Sequence, residues 1–194
     1  MELRRNHMKR NPMLAIGLAG ALALTAGAAL AQDKTGKPDR ASQKFVSSAM
    51  QGDMAEIDMG KLAQEKGQSQ AVKDYGAMLV QEHGSHLEKA KQLASQLGVK
   101  EPSGASVSQK AGYLKMKMLS GASFDKAFAK DMVKDHQADI KEYQQQASKG
   151  GAAASFAQET LPTLQTHLQK ARQLQQQLAA QPSNEKSTSG MSKQ

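Results

Sequence analysis

The segment Met78-Leu79-Val80-Gln81-Glu82-His83, followed three residues later by His86, decides how this chain folds. It sits in a stripe of Val72, Tyr75 and Leu79 before it and Ala90, Leu93 and Leu97 after it. At about 100° per residue, both histidines fall within about 40° of Leu79 on a helical wheel. They interrupt the inward face of an amphipathic helix over 70–97, which Gly98 is placed to cap.

The same period of apolar residues predicts three more long helices. One covers 40–66 and stops at Gly67. Another covers 123–149, with Ser123 as its N-cap and Gly150-Gly151 after it. The last covers 153–179, where Pro162 either kinks the helix or opens its main segment. Between the second and third long helices, residues 99–122 hold Pro102, Gly104 and a short helix over 108–119. Short links within two pairs and a longer link between them predict an all-α fold, a ferritin-like four-helix bundle.

The third long helix repeats the pattern of the second. Phe128, Met132, His136, Asp139 and Tyr143 share one stripe, and Asp131-Met132-Val133-Lys134-Asp135-His136 parallels residues 78–83. This weak internal repeat suggests two related helical hairpins. The fourth long helix turns His167 toward the stripe of Thr160, Leu164 and Ala171. The first turns Glu56 inward among Phe45, Ala49, Gly52, Gly60 and Ala63, small neighbours that allow a close helix and deep burial. Each long helix thus carries one imidazole or carboxylate inward near its middle.

Leu62-Ala63-x-x-Lys66, the two acid–His pairs and Leu161-Pro162-x-Leu164-x-x-His167-Leu168 resemble the bacterial Domain of Unknown Function family 4142. The resemblance covers about residues 40–178. It implies an exported, ferritin-like four-helix bundle, sometimes labelled an outer-membrane protein, and brings no established activity. The motif positions it carries over are His83, His136, His167 and Glu56.

The N-terminus has the three parts of a secretory signal. Arg4, Arg5, Lys9 and Arg10 precede an uncharged run that closes on Ala29-Leu30-Ala31. Its Ala and Gly content favours a cleaved signal, residues 1–31, over a retained anchor. No integral span is then expected in the mature chain. Residues 32–39 read as a linker, 40–180 as the bundle domain, and 181–194 as a disordered tail. The mature chain carries about +5, spread among acids and with few aromatics, so nucleic acid is set aside. With no Cys, disulfides, thiolate sites and lipid-anchored lipoproteins are excluded. The expected location is the periplasm or the outer-membrane surface of a bacterium.

Imidazole and carboxylate on facing helices suit zinc, copper, iron or manganese. Candidate ligands are Glu56, His83, His136 and His167, with His86 and Asp139 as second choices. Di-iron chemistry needs Glu-x-x-His on two helices, whereas this chain has His83-x-x-His86 and His136-x-x-Asp139. The competing reading is a polar core layer in which the histidines bond Glu56 or Asp139 without metal. The methionines read as core filler rather than copper(I) ligands. No Gly-x-Ser-x-Gly or phosphate-cradling Gly loop is present, and no catalytic residue is assigned. The leading expectation is a non-enzymatic envelope or stress protein that binds a transition metal. The alternative is a helical interaction or holdase protein with purely structural histidines. Protein partners are unknown, and a homo-oligomer is compatible with the pattern.

Overall fold

Helix starts are set by short polar side chains. Asp39 accepts from Ser42 N at 2.9 Å and Ser69 accepts from Val72 N at 3.3 Å, satisfying first-turn donors that have no helical partner. Ser106 and Gln109 cap each other reciprocally. A computed structural model describes residues 39–180. Its elements are α1 (Arg40–Lys66), α2 (Gln70–Gln96), the short α3 (Val107–Lys117), α4 (Gly121–Ala147) and α5 (Ala152–Ala180). The described residues are helical, with no strand among them. The expected signal, the linker apart from Asp39, and the tail 181–194 lie outside the described residues.

The start of α4 differs from expectation. α4 starts at Gly121, whose φ of 58° turns the chain into the helix before Ser123 is reached. Nearby Asp125 serves a different helix: its two oxygens accept from Gln68 N and Ser69 N, at 2.9 and 2.8 Å. α5 runs unbroken through Pro162.

Cross-helix hydrogen bonds give the topology. Gln43 Nε2 donates to the Leu97 carbonyl, placing the end of α2 beside the start of α1. Gln146 Nε2 donates to Ser42 Oγ, bringing the end of α4 to that same end of the bundle. Asp125 holds the start of α4 at the opposite end, on the α1–α2 turn. The connection from Leu97 to Ser120 therefore runs the length of the bundle, carrying α3, and α4 lies parallel to α2. The intimate pairs are α1 with α2 and α4 with α5, with α2 also against α5 and α1 against α4. This is the ferritin-like arrangement of two hairpins and one long crossover. It also corrects the hairpin-repeat expectation. The similar segments lie on the second helix of one hairpin and the first helix of the other, so they are not equivalent positions.

α1 and α2 touch backbone to backbone. A Cβ added at Gly60 would stand 2.6 Å from the Gly76 carbonyl oxygen, and one at Gly76 would stand 2.6 Å from that of Gly60. Only glycine permits this approach. It fixes the two helices in register one to two turns from Asp53, Glu56 and His83.

Two apolar clusters fill the bundle. One is built on Leu62, Val72, Leu79, Phe124, Phe128 and Leu174, the other on Phe45, Met50, Leu93, Tyr143, Phe156 and Leu164. Each large apolar side chain contributes about 1.5–3 kcal/mol on burial. Along α1, α2 and α4 the two clusters are separated by polar residues: Asp53 and Glu56, His83 and His86, His136 and Asp139. On α5 His167 stands between Leu164 and Ala171. Among the described residues no helix is long and apolar enough to cross a membrane.

Candidate metal centre

His83, His136 and His167 come from α2, α4 and α5 and meet between the apolar clusters. They are 4%, 0% and 1% exposed. One ring nitrogen from each lies within 4.8 Å of the others, the one set among the described residues close enough to hold an ion together. The rings contact one another, with centroids 5.1–5.7 Å apart.

The opposite ring nitrogens are taken up by acceptors. His83 Nδ1 donates to Asp53 Oδ1 at 2.9 Å, and His136 Nδ1 donates to the Met132 carbonyl at 2.9 Å. His167 Nε2 is 2.9 Å from Glu82 Oε2. Metal-binding imidazoles are oriented in this way, by a carboxylate or carbonyl on the far nitrogen. What remains is His83 Nε2, buried and without a partner, and the pair His136 Nε2 and His167 Nδ1, 3.2 Å apart.

That last pair is electrostatically awkward. Burial, with His83 and His167 alongside, pushes His136 down to about 3. Burial and His83 push His167 down to about 4, against the pull of Glu82. Both rings are therefore neutral near pH 7, with one proton each. His136 spends its proton on Met132, leaving a lone pair on Nε2. The single His167 proton serves either the Glu82 carboxylate or His136, and the unserved contact sets lone pair against lone pair. A cation between the two nitrogens relieves the conflict.

The second-choice ligand His86 is fully engaged elsewhere. Its Nδ1 is 2.7 Å from Asp53 Oδ2 and its Nε2 is 2.9 Å from Thr160 Oγ1. Thr160 in turn donates to the Phe156 carbonyl. A cleft of about 210 Å³ between α2 and α5, lined by Glu82, His83, His86, Glu159 and His167, leads to the cluster from the surface.

Neither Glu56 nor Asp139 belongs to the set whose ligand atoms lie within 4.8 Å of one another, although Asp139 shares a small pocket with His83 and Asp53. Glu56 and Asp139 line a cavity of about 540 Å³ between α1, α3 and α4, together with Asp131 and Asp135. Glu56 is 6% exposed, and its Oε2 has no hydrogen-bond partner. Burial above all, then Asp139, Asp135, Asp131 and Asp53, holds its carboxyl well above the usual range. Burial, with Asp135 next, pushes Asp139 up to about 7.

Two supporting residues are not among the candidate ligands read from the sequence. Asp53 lies one turn before Glu56, on the same face, and holds both His83 and His86. Its signal was the spacing Asp53, Glu56, Gly60. Glu82 sits at the edge of the α2 stripe with its side chain 39% exposed, where it reaches across to α5.

The comparisons with known proteins agree with this architecture. A crystal structure of a DUF305 fragment from Deinococcus radiodurans is similar, with a TM-score of 0.65 and 12% identity. The match covers 72% of this chain and 97% of that one, and at such identity the likeness concerns the fold alone. No curated protein matches the chain. The family model described as "Domain of unknown function (DUF4142)" matches residues 27–174, most of the sequence, and the chain belongs to that family.

Proposed function

We propose that this chain is an exported cell-envelope protein that binds one transition metal ion through His83 Nε2, His136 Nε2 and His167 Nδ1. The observation that carries the proposal is the orientation of the three rings. Asp53, the Met132 carbonyl and Glu82 occupy the far nitrogens, so the near nitrogens face one another with no protein acceptor between them. An all-imidazole set suits zinc or copper better than magnesium, calcium or manganese. With three protein ligands, a fourth position stays open for water or an exchanging ligand. The cleft between α2 and α5 is the entry path, with Glu82 and Glu159 on its lining.

A specific observation also favours the competing reading, a helical interaction or holdase protein. Each of His83, His86, His136 and His167 already has a hydrogen-bond partner, and so forms a layer able to fix helix register without metal.

Metal content separates the two readings. The chain, purified without a His-tag or chelator, is expected to carry about one equivalent of zinc or copper. His136→Ala should remove it. Glu82→Ala, at a half-exposed position that folding tolerates, should weaken it by about 10–100-fold. Less than about a tenth of an equivalent, with no rise in melting temperature on adding either metal, would leave the structural layer as the better account.

A further inference from the structure

The short helix α3 is apolar on two opposite faces, and the bundle accounts for one of them. Met116 is 6% exposed in the cluster of Leu62, Phe124 and Phe128, with Tyr113 packed against that cluster. Among the described residues α3 contacts the helices α1 and α4 alone. Outward stand Val107, Leu114 and Met118, which are 87%, 61% and 85% exposed. The exposed large apolar side chains of the described residues are thus gathered on α3 and its C-cap. One such residue is ordinary, but these three are in register. At about 100° per residue they fall within about 40° of one another, on the side opposite Met116. Met118, the C-cap, keeps helical backbone and so continues the stripe, and exposed Ala111 lies within it.

Lysines edge this stripe on both sides. Lys110 and Lys117 lie about 60–80° from Val107 in one direction, and Lys115 lies about 80° from it in the other. All three are exposed, and none forms an ion pair within 4.0 Å among the described residues. α3 contains no Asp or Glu, and Lys66 of α1 donates to the Lys117 carbonyl, adding its ammonium at the same end. A lysine beside an apolar stripe lays its methylenes along the apolar surface and lifts its charge to an anion. The occupant must therefore be apolar beneath the stripe and anionic around it. A second copy of this face would bring like-charged rims together. A partner groove is poorly matched as well, because a rim of lysines would be drawn in with the ridge and stripped of water. A bilayer surface with anionic headgroups takes the ridge and leaves the ammonium groups at the level of the phosphates.

We propose that α3 is an interfacial helix, laying Val107, Leu114 and Met118 into the surface of an anionic phospholipid bilayer while Lys110, Lys115 and Lys117 meet the headgroup phosphates. The contact is peripheral, since an 11-residue helix is too short to cross a bilayer. None of these residues lines the cleft to the histidines or belongs to their cluster, so the metal reading stands or falls separately.

The chain has no Cys, so Met118→Cys carries a single polarity-sensitive dye on the stripe, and Gln176→Cys, exposed on α5, carries the control. A dye on α3 reads contact at this face, whatever the apolar run of the N-terminus does. Titrated with vesicles of mixed phosphatidylglycerol and phosphatidylcholine, the full chain should show a blue shift at 118 and none at 176. The lipid needed for half the shift should rise about tenfold or more with phosphatidylcholine alone. Val107→Ser with Leu114→Ser, at exposed positions where folding is indifferent, should raise it about tenfold. Lys115→Gln with Lys117→Gln should raise it as well and flatten its dependence on salt. No shift at 118, or equal shifts at 118 and 176, would overturn the proposal. So would equal response to the two kinds of vesicle, or an unchanged response in the serine pair. A blue shift that grows with protein concentration in the absence of lipid would assign the face to a second copy and overturn it too.

Discussion

Where α2, α4 and α5 meet, four imidazoles are packed together, and most of their nitrogens have partners. At the cavity between α1, α3 and α4, Glu56 is buried and Asp139 half-buried, and Glu56 Oε2 has nothing to bond. Both sides interrupt the same apolar core at the same height. The difference is whether a second helix supplies an acceptor. Asp53 and Glu82 reach across a helix boundary to the histidines, whereas the acids on α4 meet another acid on α1. Complementary groups build a close-packed cluster, and acids facing acids leave an open space and carboxyls that hold their protons.

The largest break in that comparison should come from Asp53→Ala. It strips the shared acceptor from His83 and His86 at a site 3% exposed. Breaking a buried pair of this kind costs about 3 kcal/mol or more, read from urea unfolding. A loss below about 1 kcal/mol would show that the histidine side is not held by its partners. Gly60→Ala comes next. Its methyl would stand 2.6 Å from the Gly76 carbonyl oxygen, so α1 and α2 must separate, at a cost of about 2 kcal/mol. Because that contact sets Asp53 against His83, metal affinity should fall with it, while a change in stability alone would uncouple the two.

The smallest effect is the most specific, because the two sides titrate in opposite directions. Glu56 and Asp139 have raised values, so the folded chain holds protons that the unfolded chain releases as pH rises above about 4.5. Their contribution to stability is greatest in acid and is lost as pH climbs, for Asp139 toward about 7. His136 and His167 have lowered values, so below about 6.5 the unfolded chain takes up protons that the folded chain refuses. Their contribution is present near neutrality and is lost on acidification toward about 4. Glu56→Gln deletes one term from the first set. It should match wild type near pH 4 and gain on it by up to about 1.4 kcal/mol per pH unit above that. A pH-independent difference would show that Glu56 is not charged at cost in the folded chain.

The helices and the inward histidines were legible because both follow from period alone. The 40–66 and 70–97 stripes match α1 and α2 to within a residue. His83, His136 and His167 each interrupted an apolar stripe, and a bundle must bring such positions together. Period cannot show which residues on neighbouring helices stand at equal height. That depends on the Gly60–Gly76 contact and on the cap between Asp125 and the α1–α2 turn. Glu56, a candidate ligand by sequence, is not in the set whose ligand atoms lie within 4.8 Å of one another, whereas Asp53, one turn earlier, faces His83. His86 read as a spare ligand because its Thr160 partner lies on a different helix.

The most direct test of the central claim is anomalous diffraction from crystals of the chain grown with zinc. One strong peak is expected, about 2.0–2.1 Å from His83 Nε2, His136 Nε2 and His167 Nδ1, with Asp53, the Met132 carbonyl and Glu82 still on the far nitrogens. An empty histidine cluster, with zinc bound elsewhere or not at all, would contradict it.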